Sequence, residues 1–179
     1  QFGLAVFEGT FVLFGRERMA LTAGQAGAAF VVCGVVMAVL QPLVVRGLRR
    51  RAPPMAQIAV GFGAMGVGLA ALAATTTFAS AVAWITVVAA GTALVVPNEA
   101  ALVSLHGGRR VSTVLGMRST AGGIGQFAGP VVGGALIGWR TGAPFYSTAA
   151  VLSAVAVALA ARLAVRRRTR RGFSARDTR

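Results

Sequence analysis

Among the ionisable residues inside apolar runs, three are candidates for chemistry: Glu8, Glu99 and Arg118. A charged side chain at the centre of a membrane helix costs at least ~2.5 kcal/mol on insertion scales, so a retained one faces a cavity or a partner. Glu8 reads as a cavity-facing carboxylate that loads and releases a proton near neutral pH. It reads equally as a residue near a ragged helix end, paired with Thr10 or solvent. Glu99 follows Pro97 and Asn98 near the end of one run, and Arg118 lies about as far into the next, roughly 9 Å deep at 1.5 Å per residue. The two share a depth on adjacent helices of opposite direction, where an ion pair is expected. It has two readings: a gate that forms in one conformational state and breaks in another, or a permanent pair that satisfies two costly charges.

Uncharged polar residues are the next candidates. Gln41, Asn98 and Gln126 each sit in an apolar run beside a helix breaker, where they line a substrate path or make interhelical packing bonds. Trp84, Phe7, Phe11, Met37 and Met65 offer either an adaptable pocket wall or ordinary core and lipid contacts. His106 has no acidic or second His partner in its basic loop, so no proton relay or metal is assigned to it. Cys33 is the sole cysteine, which excludes a disulfide framework and a Cys-based metal site. Four acids, one His and one Cys scattered over 179 residues do not supply the cluster an enzyme needs, and no cofactor or metal is expected.

The helix that must position Arg118 and Gln126 is unusual. Residues 116–134, GMRSTAGGIGQFAGPVVGG, repeat glycine at helical spacing. Each interior Gly costs a soluble helix roughly 1 kcal/mol against Ala, and an interior Pro roughly 3. In a bilayer no water competes for the backbone bonds, and small residues let helices approach closely. Gly122, Gly125, Gly129 and Gly133 fall on one stripe, which predicts a packing face. Pro130 cannot donate to the carbonyl of Gln126 and predicts a bend. Gly116 and Gly134 are assigned to the same packing and hinge element.

Composition places these helices in a membrane. The chain is 56% hydrophobic and only 12% charged, with a mean hydropathy of +0.74. Its net charge of +14 would suggest nucleic acid in a soluble protein, but the arginines cluster between apolar runs, so no nucleic-acid partner is expected. Six spans are predicted, at about 1–14, 25–45, 55–74, 79–105, 112–138 and 143–165, with a basic tail over 166–179. The first is shorter than the ~20 residues a span needs, so the chain reads as starting partway through a longer protein. GRERMALTAG reads as a polar loop, RGLRRRAPP as a stop, TTTF as an uncharged turn, and Pro97-Asn98-Glu99 as a break in the fourth segment. The loops at 46–54 and 106–112 and the tail hold 13 arginines against 3 on the other side. The positive-inside rule then puts both ends in the cytoplasm. Trp139 and Tyr146 fall near an outer boundary, as interfacial aromatic residues do.

Six spans, a basic loop after the second, a glycine-rich fifth span and a basic tail resemble one half of a major facilitator superfamily transporter, an all-α fold of twelve helices in two six-helix bundles. The most specific piece is G-x8-G-x3-G-P-x2-G-G, matched by Gly116, Gly125, Gly129, Pro130, Gly133 and Gly134. It is similar to the motif of the family's drug and proton antiporters, which sits in the fifth helix of the N-terminal half. RGLRRRAPP lacks the Asp of the family's G-x-x-x-D-R-x-G-R-R loop, and the fourth span lacks the Arg that marks an N-terminal half. FEGTFVLFGRER is similar to the seventh helix of tetracycline-type and multidrug exporters. The resemblance therefore implies a C-terminal half, with the glycine motif as the looser repeat of the eleventh helix. It further implies a bacterial-type plasma membrane, a small-molecule substrate exchanged for protons, and a missing N-terminal six-helix half or a second copy of the chain. A metabolite uptake carrier of the same fold and a non-transporting membrane scaffold are the alternatives.

Overall fold

The computed structural model describes residues 1–47, 52–106 and 111–174. Those residues form six α-helices and no strand: α1 (Phe2–Met19), α2 (Ala23–Arg46), α3 (Pro54–Ala73), α4 (Phe78–His106), α5 (Val111–Ile137) and α6 (Ala143–Ser174). Arg49, Arg50, Arg51, Arg109 and Arg110, and the side chains of His106 and of the tail from residue 166, lie outside the described residues.

Local sequence explains most boundaries. α1 continues through Gly15-Arg16-Glu17-Arg18-Met19, which were expected in the loop, and stops where Ala20 turns left-handed at φ 50°. Arg16 and Arg18 occupy its last turn, where cations offset the negative end of the helix dipole. α2 opens with a capping box: the Thr22 hydroxyl accepts from the Gln25 backbone N–H, and the Gln25 side chain accepts from the Thr22 N–H. α3 starts on Pro54, whose fixed φ and missing N–H suit a first helical position. α4 contradicts the expected break at Pro97-Asn98-Glu99, because the helix runs unbroken through Pro97. The lost backbone bond is tolerated where neighbouring helices hold the chain, and the Asn98 side chain donates to the Leu94 carbonyl at 2.8 Å.

α3 lies between α4 and α6, α2 packs on α4, and α1 pairs with α5. The α3–α4 crossing is close because glycine meets glycine. A Cβ on Gly61 would come within 2.7 Å of the Gly91 carbonyl, and one on Gly91 within 2.6 Å of the Gly61 carbonyl. Phe7, Phe11 and Phe14 recur at helical spacing on α1 and are fully buried. Phe11 meets Phe30 edge-on at 5.7 Å, and Phe14 meets Phe145 at 4.9 Å. Phe7, Phe11 and Met65 thus belong to the core and form no pocket wall.

By length and composition, four helices can cross a membrane: Ala23–Arg46, Pro54–Ala73, Phe78–Ser104 and Ala143–Val165. α1 carries Glu8, Arg16, Glu17 and Arg18, and glycines and Gln126 dilute α5, so both fall short on hydropathy or charge. Glu8, Arg118 and Gln126 stand on these two helices.

Candidate site at the α1, α4 and α5 helices

Glu99 lies seven residues before the end of α4 and Arg118 seven residues after the start of α5. In an antiparallel pair that equal spacing sets the two side chains level. The Arg118 Nη2 donates to Glu99 Oε2 at 3.3 Å, with each side chain about a third exposed. The Arg118 Nε is buried and makes no hydrogen bond. The pair borders an open cleft of about 730 Å³ whose wall also includes Ser119 and Gln126 of α5 and Gln1, the residue before α1. Gln126 donates to the Gln1 side chain at 3.5 Å, at the limit of a hydrogen bond.

Asn98, one residue from Glu99, points elsewhere. It is fully buried, and its amide nitrogen donates to the Gln57 carbonyl oxygen at 3.0 Å and to the Leu94 carbonyl. Gln57 in turn donates to the Ala52 carbonyl at 2.8 Å. Asn98 is therefore an interhelical tie between α3 and α4, away from the cleft wall. Sequence reading missed Gln57, whose signal was a lone amide in an apolar helix. Gln41 is half-buried on α2, one residue before Pro42.

α1 and α5 run parallel and meet through glycine. A Cβ on Gly125 would lie 3.0 Å from the Phe2 nitrogen, one on Gly129 2.7 Å from the Ala5 Cβ, and one on Gly133 2.6 Å from the Thr10 Cγ2. Gly122 is looser, 3.4 Å from Gln1. Gly116 and Gly134 meet nothing within 4 Å, because at 100° per residue they turn off the stripe. The motif thus divides into a packed face and an open one. Pro130 is accommodated by Gly9, where a Cβ would lie 2.9 Å from the Pro130 Cβ. Sequence reading missed Gly9 as well, although Ala5 and Gly9 form the small-xxx-small spacing of close helix pairs.

Glu8 is exposed, and no hydrogen bond or ion pair reaches it among the described residues. Its suggested partner Thr10 is buried and donates to the Val6 carbonyl at 2.6 Å. Counting 1.5 Å per residue, Glu8 lies about 16 Å along the axis from the end of α1 at Met19. Cys33 of α2 is within its electrostatic reach. Among the described residues no three His, Cys, Asp or Glu side chains come together as a metal site would require.

The site thus holds an exposed carboxylate without an ion-pair partner among the described residues, an ion pair beside a cleft, and a helix seam with a proline in it. Comparison with curated proteins gives no match. The family model of the Major Facilitator Superfamily matches residues 2–178, nearly the whole chain. With its six-helix, all-α architecture consistent with half of that fold, this chain belongs to the Major Facilitator Superfamily of membrane transporters.

Proposed function

We propose that this chain is the C-terminal six-helix half of a proton-coupled exporter of small amphipathic compounds, working by alternating access. The observation that carries the proposal is Glu8, a carboxylate six residues, about 9 Å, past the start of α1 and about 16 Å before its end, exposed and without an ion-pair partner among the described residues. Such a group is costly in a membrane unless it serves a water-filled or substrate-filled space. In this reading Glu8 takes a proton on one side and releases it on the other. The Glu99–Arg118 pair closes the cytoplasmic side in one state and opens in the other. α2 and the cleft-lining side of α5, which carries Ser119 and Gln126, meet the second six-helix bundle, and rocking of the two bundles moves the site between membrane faces.

The test uses the full-length protein in inside-out vesicles with ethidium as an amphipathic probe. Glu8→Gln is expected to abolish gradient-driven ethidium transport while leaving expression intact, and undiminished transport would sink the proposal. The uptake-carrier alternative predicts substrate accumulation in intact cells where export predicts depletion.

A further inference from the structure

Arg16 and Arg18 lie in the last turn of α1, and Arg140 follows the end of α5; all three are exposed. Because the two helices run parallel, their C-terminal ends lie together. The Thr141 hydroxyl donates to the Glu17 carboxylate at 3.0 Å, which sets the turn bearing Arg16 and Arg18 beside the one bearing Arg140. Every arginine that topology counting assigns to the outer side is thereby gathered at one corner. Among the described residues, the ion pair found joins Glu99 to Arg118, and none reaches these three. Glu17 contributes one negative charge and the two helix ends roughly half a charge each, so three guanidinium groups leave the corner net positive.

Its other side chains are amphipathic aromatics. Trp139 is 88% exposed, and Tyr146, half-exposed on the first turns of α6, lies against Gly142. Exposed Trp and Tyr rings at the end of apolar helices occupy the headgroup level of a bilayer. Arginine in turn matches phosphate with a planar, bidentate fork.

We infer that this α1–α5 corner binds the phosphate of an anionic lipid headgroup, with Arg16, Arg18 and Arg140 on the phosphate and Trp139 and Tyr146 at the glycerol level. The inference rests on these helix ends reaching one membrane surface and on nothing about protons or the direction of transport. The occupant is a lipid and not a soluble anion because the apolar face of α5, including the exposed Val131 and Val132, continues from the corner into the bilayer and receives the acyl chains.

The test is lipid retention by the full-length protein, purified in mild detergent, offered an equal mixture of phosphatidylglycerol and phosphatidylcholine and read by native mass spectrometry. The wild type is expected to retain phosphatidylglycerol preferentially. The triple variant Arg16→Gln, Arg18→Gln, Arg140→Gln should lose about tenfold or more of that preference, and the corresponding triple Lys variant, which keeps the charge without the fork, should fall between it and the wild type. Arg162→Gln, on the exposed surface of α6, should change nothing. An unchanged preference in the triple Gln variant, or an equal loss in Arg162→Gln, overturns the inference. Displacement of the lipid by millimolar inorganic phosphate does so too, since it identifies a soluble-anion site. Thermal unfolding in phosphatidylcholine alone checks that the triple variant is folded, and export assays with Glu8→Gln remain independent of the outcome.

Discussion

Replacing Gly129 by Ala tests the α1–α5 seam where it presses on the α1 backbone. The new methyl would sit 2.7 Å from the Ala5 Cβ, 2.9 Å from the Val6 nitrogen and 3.0 Å from the Ala5 carbonyl carbon. Carbon atoms rest at about 3.5–4.0 Å, so α1 and α5 must separate locally by close to 1 Å. Overpacking of this kind costs about 1–3 kcal/mol, offset by up to ~1 kcal/mol from the better helix propensity of Ala. A net loss of about 1–2 kcal/mol corresponds to roughly 2–8 °C in the unfolding midpoint of a chain this size. The assay is thermal unfolding of the full-length protein in mild detergent, followed by tryptophan fluorescence. Ala5→Gly removes the nearest atom at about 1 kcal/mol of helix propensity, so the double variant Gly129→Ala, Ala5→Gly should be less destabilised than the sum of the two single variants. A single variant that melts at or above the wild-type temperature, or a double variant whose loss equals that sum, would refute the seam. Gly129→Val adds two further methyls at the same point and should slow or stop transport.

Gly9→Ala should lower the midpoint by a similar amount, because its methyl meets Pro130 at 2.9–3.1 Å; a midpoint at or above that of the wild type counts against the contact. A double-mutant cycle of Glu99→Gln and Arg118→Gln, read by the same unfolding assay, should give a coupling of about 1–2 kcal/mol, between the values of exposed and fully buried pairs. Asn98→Ala should cost about 1–3 kcal/mol through loss of its bonds to Gln57 and Leu94. Asn98→Asp should cost more, since it sets a carboxylate against two acceptor oxygens, and an Asp variant as stable as wild type would contradict the assigned amide orientation.

What the sequence made legible follows the range of the physics involved. Helices α2 to α5 begin and end within a residue or two of the expected spans, because apolar runs, Pro53-Pro54 and the Thr22 capping box act over a single turn. The end of α1 was misplaced because Arg16, Glu17 and Arg18 resemble a loop by polarity, yet the charges suit a helix C-terminus. The break expected at Pro97 did not occur, since propensity describes an isolated helix and α4 is held on both sides by α2 and α3. Glu99 and Arg118 were found from spacing because a hairpin of helices converts equal counting from its turn into equal depth. Gly9, Gln57 and the Glu17–Thr141 contact were missed because their partners lie on helices distant in sequence, where no period points to them.

The same distance separates the two features on which the transport proposal depends. Glu8 and Pro130 stand far apart in the chain, yet Glu8 is the residue before Gly9, and Gly9 is where α1 touches Pro130. Pro130 leaves the Gln126 carbonyl without its helical donor, so α5 is most easily bent at that point. Under proton coupling, any shift of α1 that accompanies a change of charge at Glu8 is passed through a rigid glycine-to-proline contact to the weakest turn of α5. The α1 helix cannot rotate there without moving Pro130, because no flexible side chain lies between them. A carboxylate at Val12, one turn further along the exposed face, would stand i, i+4 from Arg16 and would lack that contact. Proximity to the seam is what distinguishes Glu8 from an arbitrary intramembrane acid, and it gives the motif around Gly129 and Pro130 a mechanical partner that spacing within α5 alone does not reveal.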